Sequence, residues 1–576
     1  MTDPTENTSK RDELTVREQL FHADLDRDPG ETNVQRFGID VHPVVFPLSV
    51  LALAVFVVLT IGLGEQAATA YQTVFDYVNR NFGWLYVLAV NVFIIALVAF
   101  GFSRYGNIRL GGPDADPEFS RLSWLAMLFT AGMGVGLLFF GVAEPISHLL
   151  SGGGSFFDVP PETPAAGRAA TAITMFHWGF HPWAIYGVVG LGLAFFAFNR
   201  GLPLSFRSIF YPLLGGRIYG LPGHVVDLAA VIATIFGLAT AAGLAALQIN
   251  AGLDFVATTY FAATIPTTIW STVIIIAVII AVTTLSVLAG LENGIRRLSQ
   301  VNVVLMVALL LFVVGGGPTV YLLDVFDSGL GAYLGNFLAL SFHAEAFAGS
   351  DADWQHGWTI FFWGFWIVWA PFVGMFIARI SKGRTIREFV GGVLVVPALF
   401  SLVWMAVFNG AAIFVELNVL SGGVVGPLQD HGRAVALFEM LSFYPFTFAT
   451  SLIATVNLVT FAVTSIDSGS LVTSYLTAGG KQETAARQRV MWPILIGGTA
   501  AVLLVGNGLK ALQTAVIATG LPFVVLILVM VYTIYLGLRR EIEIHRSAAY
   551  REAVKQHTDS DPVDPTRPPL STRRDD

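Results

Sequence analysis

The sequence predicts an all-α polytopic membrane protein with twelve transmembrane helices. Three observations predict it. Of 576 residues, 55% are hydrophobic and only 12% charged, with a mean hydropathy of +0.68; ordinary globular chains carry about twice that charged fraction. Twelve segments are each apolar and long enough to cross the hydrocarbon core as a helix. Lysine and arginine alternate between the loops joining them, which fixes an orientation.

The elements follow in chain order. Residues 1–42 form a polar tail, with ten acidic against five basic side chains up to residue 40. That is too long and too acidic for a secretory leader, so the first span is expected to be uncleaved. The spans are read at 43–63, 84–103, 122–142, 169–198, 224–254, 263–290, 298–323, 356–380, 388–416, 444–476, 490–507 and 511–538. The first two fall within 43–121. Loops after even-numbered spans, with the stub after the twelfth, hold seventeen Lys/Arg, against four after odd-numbered spans. Positive charge stays on the cytoplasmic side, so both termini are cytoplasmic. The outer segment 324–355 contains an amphipathic stretch expected to lie along the interface. Residues 539–556 read as a mixed-charge cytoplasmic helix, and 557–576 as disordered. The absence of cysteine excludes disulfides. No basic stripe points to nucleic acid, and no Ser/His/Asp set points to an enzyme.

The third span reads "SWLAMLFTAGMGVGLLFFGVAEP". Gly132, Gly134 and Gly136 surround Met133 inside it. Three such glycines serve either close helix packing or an unwound segment. Irregular backbone at membrane depth survives only where it lines protein or a cavity. Glu144, before Pro145, is expected at the outer end of this helix as a cap or gate.

The fourth span contains "FHWGFHPWAIY", with Trp178, Trp183 and Tyr186, and Pro182 is expected to kink it. The eighth contains "WTIFFWGFWIVWAPF", in which Trp363, Trp366 and Trp369 recur every three residues on one helix face. Seven of the twelve tryptophans fall in windows 178–183 and 354–369. Ring faces attract a cation, by about 2 kcal/mol or more when desolvated. A quaternary ammonium suits them best, because it has no N–H to lose; plain helix packing is the alternative.

In the tenth span, "LVTFAVTSIDSGS" places Phe461, Thr464 and Ser465 on one face. Their oxygens suit a hard cation, although such hydroxyls also bond back to their own helix. Asp467 is read as a helix-end residue near the cytoplasmic side. His177 and His181 stand four apart, but no nearby ligand completes a metal site, so packing or gating is favoured. The loop "SKGRTIRE", 381–388, satisfies the charge rule and is expected to touch the C-terminal helix.

Together, "GMGVGLLFFGVAEP", "FHWGFHPWAIY" and "WGFWIVWAPFVGMFIARISKGRTIREF" resemble the betaine/choline/carnitine transporter family over residues 40–540. The resemblance implies a LeuT-like fold: two extra helices, then two five-helix repeats of inverted topology, at 122–323 and 356–538. It implies a homotrimer in the cell membrane, contacting membrane lipids, that takes up trimethylammonium compounds. By position, Trp178, Trp183, Tyr186 and Trp366 match the aromatic box, and Trp369 the cytoplasmic exit. Phe365 stands where relatives often have Trp. Gly136 stands where choline carriers tend to have Asp, which favours a zwitterion; its carboxylate would meet N–H groups between Gly132 and Gly136. Thr464 and Ser465 match the principal sodium site, with Thr130 and Met133 adding carbonyls. A second sodium position would pair Thr234 with Phe372, where Leu238 replaces a hydroxyl found in relatives. The expected function is sodium-coupled import of glycine betaine, with no cofactor beyond the coupling ion. The rival readings are a sodium-independent exchanger of carnitine-like compounds, a choline importer, and an osmosensor acting through segment 539–557.

Overall fold

The computed structural model describes residues 20–23, 27–288, 292–346 and 353–552. The tail 557–576 and residues 1–19 lie outside them. A two-stranded antiparallel hairpin, β1 (Val34–Arg36) and β2 (Ile39–Val41), precedes the helices. Numbering only the longer helices in chain order, α1 is Val45–Leu63, α2 Gln66–Phe102, α3 Arg121–Ala131 and α4 Val135–Leu150. Next come α5 Pro164–Trp178, α6 Phe180–Phe198, α7 Leu221–Phe261, α8 Ile269–Leu288, α9 Glu292–Gly316 and α10 Thr319–Gly335. The last four are α11 Phe361–Ile380, α12 Ile386–Phe414, α13 Thr447–Thr477 and α14 Ala486–Arg546.

Among the described residues, ten helical stretches are long and apolar enough to cross a membrane, or eleven when α3 and α4 count as one bent crossing. The sequence reading of twelve separate helices differs at the C-terminal end, where 490–507 and 511–538 are both contained in α14. At 61 residues, α14 would run about 92 Å if straight, roughly three times the hydrocarbon thickness. It is not continuous: Asn507 and Gly508 leave helical geometry, Gly508 at φ +54°. A side chain is disfavoured at that angle, and glycine takes it without steric cost.

Burial sorts the helices into layers. The most apolar windows of α1 and α8 are 17% and 22% buried, against 89% across α5–α6 and 83% in both α7 and the α11 stretch. α1 and α8 therefore present Leu, Ile and Val outward along most of their length, as a lipid-facing helix must. The central helices carry the small and aromatic residues that allow close approach.

Several boundaries differ from the sequence reading for local reasons. α2 begins at Gln66, because the polar stretch through Asp76 and Arg80 is helical although too polar for an apolar window. The seventh span ends at Gly316, stopped by Gly317 and Pro318. The segment after it does not simply lie on the interface. α10 packs on α5 and α12, burying Leu322, Gly329 and Tyr333, and Ser341 bonds the His181 ring at 3.0 Å. The fourth span breaks at Gly179, not at Pro182. Pro182 falls in the first turn of α6, where an N–H has no intrahelical partner to lose.

Residues near both ends of the described chain are tied to the helix bundle. Asn33 Nδ2 donates to the Ala478 carbonyl at 3.0 Å, the His42 N–H to that of Thr477 at 2.8 Å, and Lys481 pairs with Asp40 at 2.5 Å. Burial alone would raise the Asp40 carboxyl; hydrogen bonds from Lys481, Asn33 and Gln35 overcome it and hold the group below the usual range. Burial first, then Arg207 and His224, bring His42 down to about 3. It is therefore a neutral acceptor, and its Nδ1 receives the N–H groups of Val44 and Val45 at 3.2 Å as α1 begins. At the other end, buried Arg200 pairs with Glu541 at 2.5 Å and donates to the carbonyls of Gly537 and Phe21. The 381–388 loop bonds mainly to the 108–119 segment; Thr385 meets the C-terminal helix only across a shared cavity rim.

Candidate functional site

The third span is unwound. α3 ends at Ala131, α4 begins at Val135, and their axes bend by 54°. Gly132 has Pro397 Cβ 3.2 Å from where its own Cβ would stand, so a neighbouring helix packs against the break. Gly134 is fully extended, at φ −179°, with open space where a Cβ would stand. Among the described residues, no backbone carbonyl accepts from the N–H groups of Gly134, Val135 or Gly136. They are the orphan donors of the α4 N-terminus and carry its positive partial charge.

The break opens into a cavity of about 250 Å³. Fifteen of the sequence-predicted residues line it: Thr130, Gly132, Met133, Gly134 and Gly136 from the break; Trp178, Trp183 and Tyr186 from α5 and α6; Phe365, Trp366, Trp369 and Phe372 from α11; and Phe461, Thr464 and Ser465 from α13. From Phe365 to Phe376 it follows about 16 Å of α11, reaching Ser468 of α13 toward the Ile380 end. The opposite end is packed shut by His148, His177, Trp354 and Trp358, with the Arg433 guanidinium 4.2 Å above the Trp358 ring.

The aromatic rings meet edge to face. Trp178 and Trp366 stand 4.8 Å apart at 81°, Trp183 and Tyr186 5.3 Å apart at 78°, and Tyr186 and Trp366 6.3 Å apart at 88°. Phe365 packs on Trp366 at 5.1 Å and Trp369 at 5.8 Å, so the missing indole N–H costs no ring contact. The break at Gly179 leaves the last carbonyls of α5 without helical partners, and one of them, His177 O, accepts Trp366 Nε1–H at 3.0 Å. Trp178 Nε1–H donates to Glu144 Oε2 at 2.9 Å. The N–H edges of Trp178 and Trp366 are thus satisfied inside protein, which leaves their faces for the cavity, whereas the Trp369 Nε1–H has no partner among the described residues. Gly136 is fitted to Trp178: a Cβ there would lie 2.6 Å from the indole Cη2.

At Thr464 and Thr130 the hydroxyls do bond back, as such residues do in helices. Thr464 Oγ1 donates to Thr460 O at 2.9 Å and Phe461 O at 3.2 Å, and Thr130 Oγ1 to Met127 O at 2.8 Å. A hydroxyl that donates keeps its lone pairs, so these oxygens can still face a cation. Sequence reasoning missed a neighbour. Asn302 of α9 lines the same cavity, donates to Thr464 Oγ1 at 3.4 Å and accepts from Thr460. An asparagine in the apolar run "VNVVLM" was the available signal.

Other expectations are corrected. Thr234 is not brought to the cavity with Phe372; it is buried, and its hydroxyl donates to Ala230 O at 2.7 Å. The Leu238 side chain fills the space beside Gly469, where a Cβ would stand 2.3 Å away. Glu144 does not end a helix: α4 runs past Pro145 to Leu150. The proline is tolerated because the Asn409 amide nitrogen reaches the Gly141 carbonyl at 2.9 Å, replacing the lost N–H. Asp467 lies well inside α13, not at its end. His177 and His181 share no ligand: His177 bonds Glu144 at 2.7 Å and Thr359 at 3.0 Å, while His181 turns to Ser341.

The fold and site define a multi-pass helical membrane protein built around a small, aromatic-walled cavity beside a broken helix. The chain belongs to the betaine/carnitine/choline transporter family, whose model matches residues 44–543. It is 41% identical over 549 residues to a glycine betaine/proline/choline transporter of Vibrio parahaemolyticus, covering 92% of this chain and 96% of that one. Glycine betaine transporter 1 of the same organism is 43% identical, over 89% of this chain and 96% of its own length. A glycine betaine transporter of Acinetobacter baylyi is 41% identical, over 91% and 77% respectively. These relatives are transporters.

Proposed function

We propose that the protein imports glycine betaine, or a close zwitterionic trimethylammonium analogue, driven by sodium through alternating access. The observation that carries this reading is the single cavity in which indole and phenol faces, orphan N–H groups and Ser/Thr oxygens converge on the α3–α4 break. A methylated nitrogen is weakly hydrated and fits the ring faces of Trp178, Trp183, Tyr186 and Trp366. Its carboxylate fits the N–H groups of Gly134, Val135 and Gly136 at a helix N-terminus. Sodium fits Thr464 and Ser465 with carbonyls of Thr130 and Met133. Glycine betaine stands in the names of all three relatives, one of which also names proline and choline, and the absence of an acid at Gly136 favours the zwitterion.

The same reading assigns twelve crossings, with the bent α3–α4 pair as one and α14 divided at Asn507–Gly508 into two. It assigns two peripheral helices followed by the LeuT-like inverted repeats, cytoplasmic termini, a cell-membrane location and a homotrimer. With the basic loops read as cytoplasmic, the same reading takes the sealed Trp358 end as outward and the cavity as extending inward, an inward-facing arrangement. Labelled-betaine uptake into proteoliposomes tests the coupling: accumulation requires an inward sodium gradient. Uptake that persists with sodium absent from both sides would establish the exchanger reading instead.

A further inference from the structure

We propose that Glu144 is the positioning residue of the aromatic cage and, through Trp178, its source of negative charge; this rests on reading the cavity as a quaternary ammonium site. Glu144 is fully buried on α4 and does not line the cavity. Its Oε2 receives the Trp178 Nε1–H at 2.9 Å, and its Oε1 pairs with His177 Nδ1 at 2.7 Å. The hold extends one step further, because the His177 carbonyl receives the Trp366 Nε1–H. One carboxylate therefore fixes two cage rings, directly and through one residue. Gly136 pins the far side of the Trp178 ring.

Both carboxylate oxygens face ring nitrogens, Trp178 Nε1 on Oε2 and His177 Nδ1 and His148 Nε2 on Oε1. An N–H donated to an anion moves electron density into the indole and makes its face more negative, the property that attracts a cation. In a dry site such a charge is weakly screened. Placing it behind Trp178 resolves a conflict in recognising a zwitterion. An acid in contact with the substrate would repel the carboxylate, whereas an acid behind the ring acts mainly on the ammonium packed against that ring.

A metal ion is a weaker reading of the same cluster. Glu144, His148 and His177 do offer ligand atoms within 4.8 Å of one another. But Trp354 Nε1–H donates to His148 Nδ1 at 3.3 Å. The neutral ring then keeps its proton on Nε2, the atom a metal would need, and turns it toward Glu144 at 3.4 Å.

The test compares betaine with tert-butylacetate, which has the same shape and carboxylate but no positive centre. Each competes for labelled-betaine binding to the purified full-length protein at saturating sodium. Glu144→Gln keeps an acceptor for Trp178 and loses the charge. It is expected to weaken betaine about tenfold and tert-butylacetate by less than about twofold. Equal losses for both would mean a merely structural role, and an unchanged betaine affinity would mean no role; either overturns the inference. Glu144→Asp keeps the charge and should retain most of the wild-type preference for betaine; a preference as low as in Glu144→Gln also overturns it. Wild-type protein that binds no betaine would instead overturn the cage reading itself.

Discussion

Gly136→Ala puts the cage geometry to a quantitative test. The new Cβ would stand 2.6 Å from Trp178 Cη2, whereas carbon atoms pack at about 3.5–4.0 Å. The overlap is about 1 Å, and the indole cannot simply slide away. Its N–H is held by Glu144 at 2.9 Å, and its ring abuts Trp366 at 4.8 Å. Overpacking of this kind costs about 1–3 kcal/mol. If Trp178 tilts to relieve it, the substrate loses one desolvated cation–π contact of about 2 kcal/mol, equivalent to about thirtyfold in affinity. The assay is the KM for betaine in proteoliposomes at saturating sodium. Gly134→Ala is the steric comparison, because its Cβ meets nothing within 4 Å and its backbone is extended. The expected result is a KM rise of about ten- to thirtyfold for Gly136→Ala, well above that for Gly134→Ala. A wild-type KM for Gly136→Ala, or equal effects of the two, would refute the argument that Trp178 is wedged in its working position.

Trp366→Ala should abolish saturable betaine uptake, since the ring packs on Trp178, Tyr186 and Phe365 together; near-normal uptake would remove the cage. Ser465→Ala and Thr464→Ala should each raise the sodium concentration for half-maximal uptake by about tenfold, through loss of an oxygen ligand; an unchanged sodium dependence would place the ion elsewhere. At the N-terminal hairpin, the folded Asp40 carboxyl lies below its unfolded value, so its bond to Lys481 stabilises the contact at neutral pH and is lost as pH falls through the folded value, below about 4. Lys481→Ala should speed amide exchange across residues 34–41 at neutral pH, by an amount corresponding to about 1 kcal/mol or less for a partly exposed pair. Equal exchange in the two proteins at neutral pH would show that the pair does not hold the hairpin.

What could be read from the sequence was whatever rested on rare residue types in fixed registers. Tryptophans three apart on a helix face, and glycines alternating within one span, each had helix packing as the alternative, and the structure gathers both around one cavity. What could not be read depended on contacts between distant segments. Pro145 looked like a helix end because the amide that compensates it, Asn409, is on another helix. The break in the fourth span was assigned to Pro182 because proline is the stronger local signal, yet Gly179 bears it. The hairpin at 34–41 is short and polar, and is held by residues more than four hundred positions away. Asn302 carried a signal of its own, but its partners Thr460 and Thr464 lie on a helix distant in sequence.

In the proposed cycle the number of ions turns on one side chain. A second cation would need oxygen where Leu238 stands, and the Leu238 branches instead fill the room beside Gly469. Thr234 nearby is buried and does not line the cavity. In the proposed cycle, one charge moves per substrate, because betaine itself carries no net charge. Each charge gains about 2.3 kcal/mol from a 100 mV potential, which is about fiftyfold accumulation from voltage alone. A two-ion carrier would square that factor. In the proposed cycle the cation and the carboxylate of the substrate both bind the α3–α4 break, so ordering it for one would lower the entropic cost of binding the other. By linkage, each must raise the affinity of the other by the same factor. Coupling of this kind requires that the break be less ordered when empty; hydrogen exchange at Gly134, Val135 and Gly136, whose N–H groups have no backbone acceptor among the described residues, with and without sodium checks it.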